Sequence, residues 1–188
     1  MTISLRSLAL SVVLIEMLLS VSDARAADDK IAVAEGKLVV TAPAGWQRKR
    51  PESGIVEHEF AIPKAEGDDA DGRMTVMGAG GSVDANIDRW LGQFLNAEGE
   101  KLTKEKAKIE KKKIAGEDVV LVDIAGTYVD KPPFAPGSGT QRKNYRMLAG
   151  VVTTKQHGNY FFKFYGPEKT VEANEDAFVK MIESLEKK

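Results

Sequence analysis

Apolar residues recur at every second position along several segments of this chain, a spacing typical of half-buried β-strands. Strands are predicted at 37–41, 55–62, 73–78, 119–129, 145–154 and 159–165. The segment 119–129 is the richest in strand-forming residues and is predicted to lie at the centre of the sheet. An edge strand is predicted at 103–113, because its lysines fall on one side of an extended chain and discourage pairing with a further chain.

Two other segments repeat apolar residues at spacings of three and four, which is the period of an amphipathic helix. The first contains Val83, Ile87, Trp90, Leu91, Phe94 and Leu95, and Ser82 is its predicted cap. The second spans 171–187, and Thr170 is its predicted cap. The predicted fold class is therefore α+β, with a largely antiparallel sheet of about six or seven strands covered by two helices.

The amino-terminal segment has the pattern of a secretory signal peptide: a basic residue at Arg6, an apolar run over 8–21, and small residues at Ala24 and Ala26. A helix needs roughly 20 apolar residues to span a bilayer, so the run is too short to be a permanent anchor. We expect cleavage before Ala27, a signal peptide at 1–26 and one domain at 27–188, with no membrane span after cleavage. The protein is then exported to the periplasm or the outside of the cell.

Composition narrows the class of protein further. The chain has a net charge of −1, with 43% hydrophobic and 29% charged residues, which is typical of a globular domain. Nucleic-acid binders normally carry a clear excess of basic residues, so we expect no nucleic-acid partner. Because the chain has no cysteine, disulfides, thiolate metal sites and a lipid-modified cysteine are excluded.

A run of residues at each end of the predicted domain resembles one known fold. The runs are Ala42-Pro43-Ala44-Gly45-Trp46 and Tyr160-Phe161-Phe162-Lys163-Phe164, the second followed by the closing helix. They resemble the PsbP-like fold of photosystem PsbP subunits, Ran-binding Mog proteins and DcrB-type bacterial envelope proteins. The stretch 85–94 is similar to that of small secreted bacterial proteins without an assigned activity. This resemblance implies an accessory or binding role and transfers no active site.

Several short segments match a known binding or catalytic motif only in part. The loop 78–82 is rich in glycine but lacks the spacing of a dinucleotide or phosphate-binding loop, which favours a tight turn. The acidic loop 66–72 matches part of a calcium loop, but Gly67 and Gly78 occupy its first and twelfth ligand positions, so a solvated loop is favoured and weak cation binding stays open. His58 and His157 have no ligand spacing and no nucleophile elbow beside them. We therefore predict no catalytic residue, metal site or cofactor.

The loop between 130 and 142 is the best candidate for contact with a partner. It holds Phe134 among prolines, and Arg142, Lys143, Tyr145 and Arg146 follow it. Aromatic residues and arginine are enriched in binding hot spots. Our hypothesis is that these five residues contact an envelope protein or polymer, the alternative being that Phe134 only pins the loop to the sheet.

Two functions stay open from the sequence. The first is a noncatalytic binding or accessory protein. The second is an envelope enzyme, hydrolase-like, whose site forms only in the folded chain. A deep pocket around a carboxylate of raised pKa favours the enzyme, and a shallow surface with an apolar patch favours the binding protein.

Overall fold

The computed structural model describes residues 29–131 and 139–188. The predicted signal peptide and its cleavage site, and Phe134 of the predicted partner loop, lie outside these residues and stay predictions. The described elements are, in chain order, β1 (Asp29–Val33), β2 (Leu38–Ala42), β3 (Gln47–Lys49), β4 (His58–Ile62), β5 (Gly72–Ala79), α1 (Val83–Leu91), β6 (Phe94–Leu95), β7 (Lys108–Ile114), β8 (Glu117–Asp130), β9 (Thr140–Thr154), β10 (Gly158–Pro167), α2 (Glu168–Ala173), α3 (Glu175–Glu183) and β11 (Glu186–Lys187).

A large antiparallel sheet organises the described part of the chain. Its strand order is β3, β4, β5, β10, β9, β8, β6, and β7 pairs with a second stretch of β8. A smaller sheet of β1, β2 and β11 lies apart from it in the hydrogen-bond pattern. The α+β class predicted from the sequence, with a largely antiparallel sheet, is confirmed.

One face of the large sheet is covered by the small sheet and the carboxyl-terminal helices. Phe60, Phe162, Phe164, Phe178 and Ile182 are all at most 1% exposed there. Gly150 allows the close approach of α3, because a Cβ at that position would lie 3.0 Å from the Cδ1 atom of Ile182. The core on this face is closely packed, so it fixes the position of the helices on the sheet.

The opposite face is covered only in part, by α1 and the segment after it. Ile87, Trp90, Leu91 and Phe94 pack there against the sheet strands. The Ser82 hydroxyl accepts a hydrogen bond from the Ala85 amide at 3.1 Å, which confirms the predicted cap of α1. The helix covers one part of this face and leaves the neighbouring part open.

Several predicted details are corrected. The strand predicted at the centre, β8, lies second from one edge, and the central strand is β10. Phe94 and Leu95 do not extend the first helix but form β6, which pairs with β8. At Gly126, a Cβ would lie 2.6 Å from the Leu95 carbonyl oxygen, so glycine lets β6 cross close to β8.

The predicted carboxyl-terminal helix is divided. It begins earlier, at Glu168, breaks at Asn174, and gives way to β11. Thr170 lies inside α2 and is not its cap; its amide and hydroxyl both donate to Asp68, at 2.8 and 2.6 Å. The backbone donor that a cap would satisfy is therefore met by a carboxylate from the distant acidic loop. Within the described ranges, no helix is long and apolar enough to cross a bilayer.

Candidate functional site

The uncovered part of the sheet face forms a cleft of about 600 Å³. Its floor comes from β5 and β10, and its walls come from α1, the loop before β4 and the end of β8. Its lining residues include Thr75, Met77, Phe161, Lys163, Tyr165 and Arg89. A volume of this size lies within the range of sites that hold small molecules.

Lys163 stands on the floor of the cleft, in the middle of the central strand. It lies opposite Thr75 of β5 and Ala149 of β9, so its side chain shares the open face with theirs. Its neighbours on that face of β10 are Phe161 and Tyr165, two residues away on either side. A lysine at such a position is unusual, since charged side chains are rarely placed within the apolar surface of a central strand.

The amine of Lys163 is held by neutral groups. Its Nζ donates to the Gln93 Oε1 atom at 2.9 Å. It also lies 4.9 Å from the ring centre of Tyr165 and 5.6 Å from that of Tyr128, both within reach of a cation–π contact. No carboxylate among residues 29–131 and 139–188 forms a salt bridge with it. The charge of this lysine is therefore not neutralised by an ion pair in the described structure.

The surroundings lower the pKa of Lys163 to about 7. Burial is the largest cause, because it disfavours the charged amine, and the positive charges of Arg89 and Arg73 act in the same direction. The carboxylate of Asp130 acts against them. The amine is thus divided between its charged and neutral forms near neutral pH.

Arg73 lies on the floor next to this lysine and has its own carboxylate. Its Nε and Nη2 atoms donate to the two oxygens of Glu59 at 2.8 and 2.9 Å, and its Nη1 donates to the Tyr165 hydroxyl at 3.3 Å. These bonds raise the pKa of Arg73. Arg89, on α1, instead donates to the neutral Asn86 Oδ1 atom at 2.8 Å.

Aromatic rings form one end of the cleft. The Tyr128 ring lies 5.1 Å from that of Tyr165 and stacks on Tyr145 at 6.0 Å with an angle of 8°. Burial raises the pKa of the Tyr128 hydroxyl. At the other end, Phe161 meets the edge of Trp90 at 5.7 Å. These contacts fix the rings in place, so the cleft has rigid aromatic surfaces.

The rim carries one apolar side chain that projects into solvent. Ile55, in the loop before β4, is 69% exposed, and it is the only large hydrophobic residue exposed in the part of the chain that the structure describes. The alternating pattern predicts a strand that begins at Ile55, but β4 begins three residues later, at His58. The cleft thus combines cations on its floor with an apolar rim.

The four described residues among those predicted to contact a partner, Arg142, Lys143, Tyr145 and Arg146, do not share one face of the sheet. Tyr145 is buried and stacks on Tyr128. Arg146 points to the other face of the sheet and pairs with Asp123 and Glu175. Arg142 pairs with Asp130, which also lines the cleft, and Lys143 is exposed. Their role in partner binding stays a prediction, and Arg146 has a structural task that accounts for it.

Lys163, Arg73, Arg89 and Gln93 were not singled out from the sequence. The available signal was a single lysine inside the aromatic run 160–165, where a charge contradicts the burial expected of a strand. The other three residues lie on different elements, and only the fold brings them to the same face.

The remaining motifs have structural partners. Asp68 of the acidic loop accepts from Thr170, and the Asp71 carboxylate accepts from the Lys64 amide at 3.0 Å. The His58 Nε2 atom lies 2.9 Å from the Ala32 carbonyl oxygen, and its Nδ1 atom lies 3.0 Å from Arg48. Across the described residues, no group of three or more potential ligands could hold a metal ion.

The chain is similar to several solved structures. Cyanobacterial PsbP from Synechocystis aligns with a TM-score of 0.48 and 11% identity, over 85% of this chain and 92% of that chain. The Ran-binding protein Mog1p of Saccharomyces cerevisiae aligns with a TM-score of 0.45 and 10% identity, over 85% and 94%. A Pseudomonas aeruginosa protein of unknown function aligns with a TM-score of 0.45 and 11% identity, over 86% and 97%.

PsbP and the Mog proteins are two of the groups to which the sequence resemblance points. At these identities the likeness concerns the fold alone. No protein-family model matches the chain, and no curated protein matches it. The function of this chain must therefore be inferred from the cleft itself.

Proposed function

We propose that this chain is a noncatalytic binding domain and that a small amphipathic ligand occupies the cleft. The observation that carries the proposal is Lys163, a lysine in the middle of the central strand, facing a cleft and held only by neutral groups in the described structure. Burying part of a charged side chain without a carboxylate lowers stability, so an apolar residue is the better choice for folding alone. Binding of a ligand by Lys163 would explain why a lysine and not an apolar residue occupies this position.

The shape and the lining of the cleft indicate the size and kind of occupant. A concave site of about 600 Å³ suits a small molecule. A stable protein partner buries roughly 800 Å² on each side, which calls for a broad surface instead. Rigid rings and Ile55 supply apolar contact, while Lys163, Arg73 and Arg89 supply polar contact, so an amphipathic ligand matches both.

The enzyme alternative finds less support. The carboxyl groups with a shifted pKa, among the residues that the structure describes, are Asp29, Asp84, Glu105 and Asp118, and each is lowered. None of these four carboxyl groups lines the cleft. The described side chains also form no hydrogen bond between a histidine ring and a serine or threonine hydroxyl.

Export and an envelope partner belong to the same proposal. The signal-peptide pattern of 1–26 supports a periplasmic or extracellular setting. Asp130 and Lys131 line the cleft, and in the sequence they stand at the start of the loop proposed to contact an envelope protein or polymer. Sequencing the mature protein from the exported fraction should give Ala27 as its first residue. A cytosolic chain that begins at Met1 contradicts this part of the proposal.

Mapping the bound probe on the protein tests the site. We expect titration with anilinonaphthalene sulfonate (ANS), an amphipathic fluorescent probe, to shift the backbone NMR signals of β5, β10 and α1. Shifts confined to the face covered by α3, or no shift at millimolar probe, would refute the assignment of the cleft as the binding site.

A further inference from the structure

The charges around the cleft are unevenly matched, which bears on the kind of ligand. Two of its three carboxylates are engaged by arginines: Glu59 by Arg73, and Asp130 by Arg142, whose Nε and Nη2 atoms both donate to one Asp130 oxygen at 3.1 and 2.9 Å. Of these three carboxylates, only Glu52 forms no salt bridge with another described residue. A cationic ligand would therefore find little free negative charge in the cleft.

Among the described residues, three of the four cations of the cleft, all except Arg73, are not paired with a carboxylate in this way. Lys163, Arg89 and Lys131 line it without a carboxylate within salt-bridge distance, as far as the described residues extend. Lys163 uses one of its three donors on Gln93, and Arg89 uses one of its five on Asn86. Both cations keep donors for a further acceptor, and the two repel each other until one is supplied.

On this basis, and resting on the proposed function, we infer that the ligand is a small organic anion whose charged group is bound between Lys163 and Arg89. The anionic group, a carboxylate, phosphate or sulfonate, accepts hydrogen bonds from both side chains. Its apolar body lies against the aromatic floor and extends toward Ile55. Charge-assisted bonds of this kind are about twice as strong as neutral ones, so the charged group determines which amphiphiles bind.

Binding of an anion has a consequence for protons. The charged and titratable groups that line the cleft with Lys163 are Arg73 on β5, Arg89 on α1, Tyr128 and Asp130 on β8, Tyr165 on β10, Glu59 on β4, and Glu52 and Lys131 in loops. A bound anion stabilises the charged amine and raises its pKa from about 7. The complex then takes up a proton, and affinity falls as pH rises through the pKa of the free lysine.

The test compares three probes with the same apolar chain: octanoate, octanol and octylammonium, each displacing ANS from the full exported domain. At about pH 6 we expect octanoate to bind at least tenfold more tightly than octanol, and octylammonium to bind most weakly. For octanoate, affinity should be about tenfold lower at pH 8 than at pH 6, because the free lysine loses its charge over this range.

Variants separate recognition from folding. Lys163→Met should lose the preference for octanoate and its pH dependence while keeping octanol binding. Lys163→Arg, which keeps a permanent charge, should retain octanoate binding and lose the pH dependence. Lys112→Met is the matched control, because this half-buried lysine on β7 pairs with Glu183 on the other face, and it should leave all three affinities unchanged.

The outcomes are distinguishable. Equal binding of octanol and octanoate, or the strongest binding by octylammonium, overturns the anion inference but leaves the cleft as a binding site. An octanoate preference that survives in Lys163→Met also overturns it. If none of the probes binds, the proposed function itself fails.

Discussion

Arg146 offers the sharpest single prediction, because the sequence favoured it as a partner contact and the structure gives it a structural task. Its guanidinium donates to both oxygens of Asp123 at 2.9 and 2.8 Å and to Glu175 at 2.7 Å. It therefore joins the middle of the sheet to the first turn of α3. We expect Arg146→Ala to destabilise the fold.

The size of the effect follows from the exposure of the three side chains. The Arg146 side chain is 14% exposed, whereas those of Asp123 and Glu175 are 24% and 36% exposed. A fully buried charge left unpaired costs about 3–5 kcal/mol, and an exposed ion pair contributes less than about 1 kcal/mol. Since water reaches both carboxylates in part, we expect a loss of about 2 kcal/mol in the free energy of unfolding. For a domain of this size, the melting temperature should fall by about 4–8 °C.

Urea denaturation followed by circular dichroism measures this loss, and Arg142→Ala is its control. Arg142 makes a comparable pair with Asp130, but both side chains are about 40% exposed and the change should be about 0.5 kcal/mol or less. Equal losses in the two variants would refute the reasoning. A stable Arg146→Ala protein that no longer captured an envelope partner would instead favour the partner-contact hypothesis.

Three further predictions concern the cap, the close packing and the lysine. Asp68→Ala should lower the free energy of unfolding by about 1 kcal/mol, because it removes the acceptor for the first turn of α2. Asp69→Ala, at an exposed neighbour, should leave the free energy of unfolding almost unchanged. Equal losses of the two variants in thermal melts would contradict this. Gly150→Val should lower the free energy of unfolding by about 1–3 kcal/mol in urea denaturation, because a Cβ at this position would already lie 3.0 Å from Ile182. An unchanged urea midpoint would show that α3 can move to make room for the side chain. Folding lowers the pKa of Lys163 from 10.5 to about 7, so between these two pH values the unfolded wild type binds more protons than the folded one. Below pH 7 this penalty is complete, and Lys163→Met, which lacks the charge, should be more stable than the wild type. This difference should shrink as pH rises from 7 to 10.5, and a constant difference would rule out the shifted pKa.

The elements with a clear hydrophobic period were the ones predictable from the sequence. The cap at Ser82 and the strands β9 and β10 follow from local spacing and local hydrogen bonding. The edge strand predicted at 103–113 from its lysines is correct only from Lys108, where β7 begins, because Lys104–Lys106 form a short 3-10 turn. The strand β3 is exposed at all three of its residues, and β11 has only two, so neither carries a periodic signal. Such strands form because a partner strand is placed beside them, which depends on the whole fold.

The order of the sheet and the site depended on long-range pairing. β8 was expected at the centre because it is rich in strand formers, but that preference says how well a residue suits a strand and not where the strand lies. Lys163 has a meaning only when its opposite residues, Thr75 and Ala149, and its contact with Gln93 are known. The sequence shows only that a lysine is unexpected within an aromatic strand, and the structure shows that this lysine lines a cleft.

The central claim is that the Lys163 amine is held without a carboxylate in a cleft that binds an anion. NMR titration of the isotope-labelled lysine side chains, in free protein and with saturating octanoate, tests it most directly. The claim predicts a pKa of about 7 for Lys163 in the free protein and a clear rise with octanoate. A pKa near 10.5, the usual value for lysine, that does not respond to octanoate would contradict it.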